Sequence, residues 1–316
     1  MGRLPSPHLK GIAVSRTAWQ HVTISYPGRS RHDREQQAVA HLSRVLPAAE
    51  TAGLITAWWF IRKGPWRIRY LPTAHTSPAS LIELLTEGRA WSGDIYEPEI
   101  HTFGGPQAMD TSHMLFHHDS RHLLTYLHDQ PTDGRERSLI LCTALMRAAG
   151  LDLNEQGDVW ARLAHRRTAE RHQRAAPDAD TWQAFTGKVR HLILGTARTP
   201  GDWQAAFETT GTALHRLRET GQLTRGVRAV IAEHVIFHWN RIGIPATTQA
   251  TLARAATDAI FGGPPVPPGE RWPGQVKGPL PPATPPADSE TSGGDVSAPA
   301  NARCCQASQP MSTAIR

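Results

Sequence analysis

The sequence predicts an α+β chain, with a small, mainly antiparallel sheet in its first third and a mostly helical half after it. Two short runs of aromatic and branched residues, AWWFI and WRIRY, flank a turn signal at Gly64-Pro65. From about residue 107 the apolar residues recur at helical rather than alternating spacing. The helical pattern stops at Phe261, and 12 of the 25 prolines follow it.

In chain order, Trp19–Tyr26 (WQHVTISY) reads as a strand. A helix over 33–52 follows, with Val39, Leu42, Val45, Leu46 and Ala49 on one face. The paired strands span 57–72. Strand side chains alternate, so Arg67 and Arg69 share one face while Trp66, Ile68 and Tyr70 share the other. A helix near 78–88 leads into an extended run, IYEPEIHTF, ended by Gly104-Gly105. Alternation there puts Glu97, Glu99 and His101 on one face of an edge or bulged strand, since Pro98 lacks an N–H. The helices beyond break near Pro131, Gly150, Pro177, Pro200 and Gly221. Residues 1–262 read as one folded domain. The segment 263–316 buries too little apolar surface to offset its ordering entropy and reads as a disordered, proline-rich tail.

At 39% hydrophobic residues the composition is that of a soluble globular protein. No apolar run approaches the roughly 18 residues that span a bilayer, and MGRLPSPHLKG lacks a signal peptide's apolar core. The expected location is cytoplasmic, with no membrane partner. Cys142 sits in an apolar helical stretch, while Cys304 and Cys305 are adjacent in the tail. Neither a disulfide framework nor a zinc site is expected. The net charge of +6 favours an anionic partner without choosing its class.

TRGVRAVIAEHVIFHWNRIGI (224–244) carries the first chemical signal. Wound as a helix from Val227, its residues Val230, Ile231, Val235, Phe237 and Ile242 span an arc from about −80° to +80°. His234, His238 and Arg241 fall near its middle, at about −20°, +20° and −40°. One such residue is explained by a backbone carbonyl partner or a snorkelling stem. Three leave a buried polar set and a polar-lined cleft in balance, and the cleft would offer an imidazole titrating near neutral pH. His113, His117, His118, Asp119 and His122 crowd one helix, with i, i+4 spacing in His113/His117 and His118/His122, but without HExxH they read as surface composition rather than a metal site. HRRTAERHQR (165–174) has no interleaved aromatics, so it reads as a solvated helix face and direct nucleic-acid binding is not expected. P-loop, dinucleotide and GxSxG motifs are absent, so no cofactor is expected.

Taken together, WWFIRKGPWRIRY, YEPEIHTFGGPQAM, LFHHDS and HVIFHWNRIGIP resemble, in this order, one family. It is the C-terminal, glutamate-eliminating domain of class I lanthipeptide dehydratases, in its stand-alone "thiopeptide-type bacteriocin biosynthesis" form. The resemblance runs from about Trp19 to Phe261. It implies a partner dehydratase that transfers glutamate from glutamyl-tRNA to Ser or Thr of a precursor peptide, which is the substrate here. This chain would then expel glutamate, leaving dehydroalanine or dehydrobutyrine. By the same resemblance His238 is the acid/base, Arg67 and Arg69 hold the glutamyl group, and Glu99 matches the glutamate ahead of Gly-Gly. Thr102 departs from the pattern, since many fused dehydratases have arginine there. Arg62, Lys63 or Arg241 is expected to bind substrate in its place. Thr102 also keeps open a pyridine-forming cyclase on the same fold, and a non-catalytic peptide-binding module is the third reading.

Truncation after Gly262 should leave the melting temperature and turnover nearly unchanged, because proline-rich 263–316 adds little to a core. Thermal denaturation of both forms tests this, and a large loss of melting temperature refutes it.

Overall fold

A computed structural model describes residues 19–62, 65–129, 132–167, 178–195 and 201–262. Lys63, the tail with Cys304 and Cys305, most of the 165–174 run, and Pro131, Pro177 and Pro200 lie outside those residues. Among the described residues, β1 (Gln20–Ile24), β2 (Ile55–Ile61), β3 (Trp66–Pro72) and β4 (Trp91–Asp94) form one sheet. Its order is β2-β3-β1-β4, antiparallel at each step. Helix α1 (Arg31–Thr51) joins β1 to β2, and α2 (Pro78–Thr86) joins β3 to β4. The helices α3 (Pro106–His128), α4 (Gly134–Ala148), α5 (Leu153–Arg166), α6 (Ala179–Leu194), α7 (Asp202–Glu219), α8 (Val227–Ile242) and α9 (Ala246–Phe261) follow. The α+β reading holds.

Alternation sorts the sheet into two faces. Val22, Ile24, Trp58, Phe60, Trp66, Ile68 and Tyr70 enter the main core with Val39, Leu42, Val45, Leu46 and Ala49 of α1. A reciprocal capping box between Ser30 and Asp33 starts that helix. The opposite face ranks Trp59, Arg69, His21 and Asp94 across the four strands, with Ile61, Arg67, Thr23 and Ser92 in the next row. A second apolar cluster of Trp59, Ile61, Phe103, Met109 and Phe116 covers the β2 end of this face.

Strand β2 is an edge, and α3 covers it. His117 Nδ1 lies 3.1 Å from the Trp58 N–H and 3.0 Å from its carbonyl, and the Phe60 N–H donates to Ser120 Oγ at 3.2 Å. Edge groups left open would template pairing with other chains. Here side chains take the place of a fifth strand. Behind this contact α4 packs on α7, α5 on α9 and α3 on α7.

Two expectations need correction. The 95–103 run is not a strand; pairing ends at Asp94, and residues 100–104 form turns. Pro98 has no N–H, and the N–H groups of Ile100 and Phe103 are used locally, on Pro98 O (2.8 Å) and Glu99 O (3.0 Å). Glu97, Glu99 and His101 therefore do not form an alternating face, although all three are exposed. Nor are the α3 histidines all surface composition, since His113 and His117 are buried. Cys142 is buried, as expected of a core residue.

Gly104, just before the Gly105 N-cap of α3, has φ +89°, and a Cβ there would lie 2.7 Å from Leu223 and 3.0 Å from Val230. Its carbonyl accepts from the Thr224 N–H at 2.9 Å, which docks the start of α3 on the loop before α8. Gly211 serves packing instead, because a Cβ would come within 2.5 Å of Leu145 O and 2.7 Å of Ala148 Cβ on α4. Gly211→Ala should therefore destabilise by about 1–3 kcal/mol, as overpacking does. Gly187→Ala on α6 meets nothing within 4 Å and should be neutral or stabilising, by up to about 1 kcal/mol from helix propensity. Urea denaturation of the two variants gives the comparison. Equal effects would contradict the close α4–α7 crossing.

Candidate functional site

Strand alternation brings Arg67 and Arg69 to the face opposite the main core, as the sequence predicts. Their environments differ. Arg67 is exposed, whereas Arg69 is half-buried, its guanidinium carbon 4.4 Å from the Trp59 ring centre and 4.6 Å from that of Tyr96. Such cation–π contacts hold a guanidinium in place without neutralising it. Burial lowers the Arg69 pKa, and Tyr96 and Glu99 counter that trend. Arg69 Nε and Nη1 are buried and have no hydrogen-bond acceptor among the described residues. Neither does Trp59 Nε1, on the same ring that Arg69 covers.

A tyrosine–histidine pair adjoins this guanidinium. Tyr96 Oη lies 2.9 Å from His113 Nε2, and His113 also packs on Trp19 with ring centres 4.7 Å apart. Burial, then the Arg69 charge, lowers the His113 pKa to about 4, and burial raises that of Tyr96. Both are therefore neutral at pH 7. His21, paired with Arg69 across the strands, is lowered by burial and then by that same arginine. The arrangement offers a fixed cation, exposed Glu99 near it, and a neutral imidazole linked to a phenol.

His238 lies elsewhere. It is fully buried, as are Asp119 and Arg241, so the polar set on α8 faces a closed core rather than the cleft weighed from sequence. His238 Nδ1 lies 3.1 and 3.0 Å from the two Asp119 oxygens. Arg241 Nε donates to Asp119 Oδ2 at 2.7 Å, and Trp203 Nε1 to Oδ1 at 2.8 Å. Phe207 meets the imidazole edge-on, with centroids 5.2 Å apart. His238 Nε2 and Arg241 Nη1 and Nη2 have no hydrogen-bond partner among the described residues. His234 uses both nitrogens, on Ser112 Oγ and Val230 O, each at 3.0 Å. Phe116 bridges the two clusters, lying 4.9 Å from Trp59 on one side and under Arg241, at 4.5 Å, on the other.

Sequence reasoning offered Arg62, Lys63 or Arg241 to replace a cation at Thr102. Arg62 is buried, its Nε donating to Arg241 O at 2.7 Å and its Nη2 to Ile242 O, so it caps the C-terminus of α8. Arg241 serves Asp119. The guanidinium that reaches Thr102 is Arg225, whose Nη1 donates to its carbonyl at 2.6 Å and pairs with buried Glu233 at 3.2 Å. Asp119, Tyr96 and Trp59 received no role from the sequence. A signal existed for Asp119, which falls on the buried stripe Ser112–Leu115–Phe116–Ser120–Leu123 of α3. Among the described residues no three His, Cys, Asp or Glu side chains are placed to hold a metal ion, and no helix is long and apolar enough to cross a membrane.

Residues 19–260 match the family described as lantibiotic biosynthesis dehydratase C-term. No curated protein matches the chain. Among solved structures, the tRNA-dependent lantibiotic dehydratase MibB from Microbispora sp. 107891 superposes with a TM-score of 0.53 at 18% identity, over 82% of this chain and 29% of that one. This chain therefore spans less than a third of that dehydratase. TsrL gives a TM-score of 0.50 at 14% identity, over 77% of this chain and 98% of that one. Both share the fold.

Acid should weaken the protein in two stages. Burial lowers His41, His113 and His234 to about 4 from an ordinary 6.5, so between these values the unfolded chain takes up protons that the folded one refuses. Stability should fall as pH drops through that window. Burial would raise Asp119, but His238 and Arg241 outweigh it and hold the carboxyl at about 2. Its contribution is present above the ordinary 3.8 and is lost as pH falls toward 2. Urea midpoints measured from pH 7 down to pH 3 test this, and a flat profile would contradict it.

Proposed function

The chain belongs to the lantibiotic biosynthesis dehydratase C-terminal family, and from that premise we propose that it eliminates glutamate from glutamylated Ser or Thr of a precursor peptide. A separate glutamyl-tRNA-dependent dehydratase would supply the ester. In the elimination a base takes the α-proton, the carbon–carbon double bond forms, and the β-carbon–oxygen bond breaks. The electron pair leaves on the glutamate carboxylate. The observation that carries this reading is Arg69, a half-buried cation whose Nε/Nη1 edge, itself buried, lacks an acceptor among the described residues and is of the kind that pairs bidentately with a carboxylate. Exposed Arg67, one row away, would stabilise the ester carboxyl as it becomes the departing carboxylate, and Glu99 would orient Arg69. Next to Arg69, the Tyr96–His113 pair is the proposed route for the proton.

A second assignment of the acid/base has its own support. Asp119 holds His238 at Nδ1 and leaves Nε2 without a partner, the orientation a histidine base requires. Arg241 would then bind substrate beside it. This assignment requires the wall formed by Trp203 and Phe207 to open. Thr102 keeps pyridine formation as the competing reaction, and the product distinguishes it.

Purified protein given a glutamylated peptide should release free glutamate and lower the peptide mass by one glutamic acid, without added metal or nucleotide. Mass spectrometry reads this directly. Arg69→Ala should slow elimination and lose discrimination between glutamylated and plain peptide. His113→Ala should cut single-turnover elimination by about 10²–10⁴ while binding persists. Should His238→Ala be the dead variant, and fold normally, the proton passes through the Asp119–His238 pair instead. If no variant at either histidine matters, the elimination reading fails.

A further inference from the structure

A cavity of about 650 Å³ opens at the hairpin end of the sheet, where Arg31 and Arg34 of α1, Arg62 after β2, and Arg167 after α5 converge. Among the described residues Glu35 is the one carboxylate in its wall, and it is shared between Arg31 Nε (2.8 Å) and Arg62 Nη1 (3.4 Å). Arg31, Arg34 and Arg62 against one carboxylate leave the described wall positive, and Arg167, which donates to Gln249 at 3.1 Å, borders it. Arg62 is the fixed member, buried and tied to the last carbonyls of α8. Arg34 reaches in from the exposed surface of α1, with Nη1 on Gly28 O at 3.0 Å. The first turn of α9 adds to the field, because it begins in the same wall behind Pro245 with no side-chain cap on its N–H groups.

We infer that this cavity is a second binding site, for the carboxylate side chains of an acidic peptide segment. Guanidinium forks match carboxylates, and the volume lies in the range of small-ligand sites, room for a few side chains rather than a duplex. The aromatic residues in the wall argue against single-stranded nucleic acid. Trp66 and Tyr26 are only 4% and 7% exposed, so neither offers a face for base stacking. The site is distinct from the Arg69 cluster. Trp66 and Arg67 are neighbours in β3 but point to opposite faces, so the cavity and the cluster lie on different sides of one strand. The inference does not depend on the elimination chemistry.

Fluorescence anisotropy of labelled hexaglutamate on the full chain tests it, with hexaglutamine and a short oligonucleotide as comparison probes. Hexaglutamate should bind, and increasingly weakly with added salt. Arg34→Glu should weaken it at least tenfold. Arg216→Glu, the same charge change on an exposed position of α7 outside the cavity, should not. Glu35→Gln should tighten it, since Arg31 and Arg62 lose their shared anion. Equal losses in Arg34→Glu and Arg216→Glu would reduce the effect to net charge and overturn the site. So would hexaglutamine binding as well as hexaglutamate. An oligonucleotide that binds more tightly than hexaglutamate, and depends on Arg34, would reassign the cavity to phosphates.

Discussion

The Asp119 carboxylate, removed from water and held between α3, α7 and α8, is the contact on which the helical half depends. Trp203 reaches it from α7, and His238 and Arg241 from α8. Its own desolvation is expensive, and a buried ion pair repays that cost only with good geometry and further hydrogen bonds. Both conditions are met at Asp119, where four donor contacts fall between 2.7 and 3.1 Å. Removing one member of such a pair typically costs about 3–5 kcal/mol, because the remaining charge stays buried. The network therefore fixes which face of α8 meets α3. Phe237, one residue before His238, is thereby placed 5.2 Å from Phe116 and 6.5 Å from Trp59. The Arg69 cluster rests on rings that a buried carboxylate holds in position.

The other end of α8 is tied to the sheet. Arg62 leaves the end of β2 and donates to Arg241 O and Ile242 O, so the helix is anchored at its side by Asp119 and at its C-terminus by a strand residue. Helix α3 links the two anchors. Within two turns it supplies His117 and Ser120 to the open edge of β2, Asp119 to α8, and His113 to the Tyr96 side. A small sheet with an open edge is marginal by itself, and this one is completed by a helix.

Local periodicity made much of this legible. The alternation of WWFIRKGPWRIRY gives the two faces of the hairpin, and the 100° winding of 224–244 puts His234, His238 and Arg241 on the buried side of α8. What they meet there was not legible. Asp119 is 119 residues from His238 in sequence, and no spacing rule joins a lone aspartate on one helix to a histidine on another. The cleft was an inference from unpaired polar groups, and the partner that removes most of the need for it lies far along the chain. The 95–103 error has the opposite origin. Alternation was present, but Pro98 and the two glycines favour turns, and turn hydrogen bonds took the backbone groups a ladder would need. The basic cavity was invisible for the first reason, since its arginines come from positions 31, 34, 62 and 167.

Two arginines on this frame share a setting and differ in one respect. Arg241 lies 4.5 Å over Phe116, and Arg69 lies 4.4 Å over Trp59 with Tyr96 at 4.6 Å. Both are desolvated, which lowers both pKa values. Arg241 has a counter-ion fixed at 2.7 Å, and the protein has neutralised it internally. Arg69 has aromatic rings and, for electrostatic neighbours of opposite charge, the exposed Glu99 and Asp94, neither of which is hydrogen-bonded to it. Aromatic faces stabilise a guanidinium by about 0.5–2 kcal/mol each, which falls short of what an anion would supply. The fold thus gives one buried cation a fixed counter-ion at Nε, with Nη1 and Nη2 unpaired among the described residues, and holds a half-buried one short of its anion. Under the proposed reading, a glutamyl carboxylate would gain more at Arg69, which has no fixed counter-ion, than at Arg241.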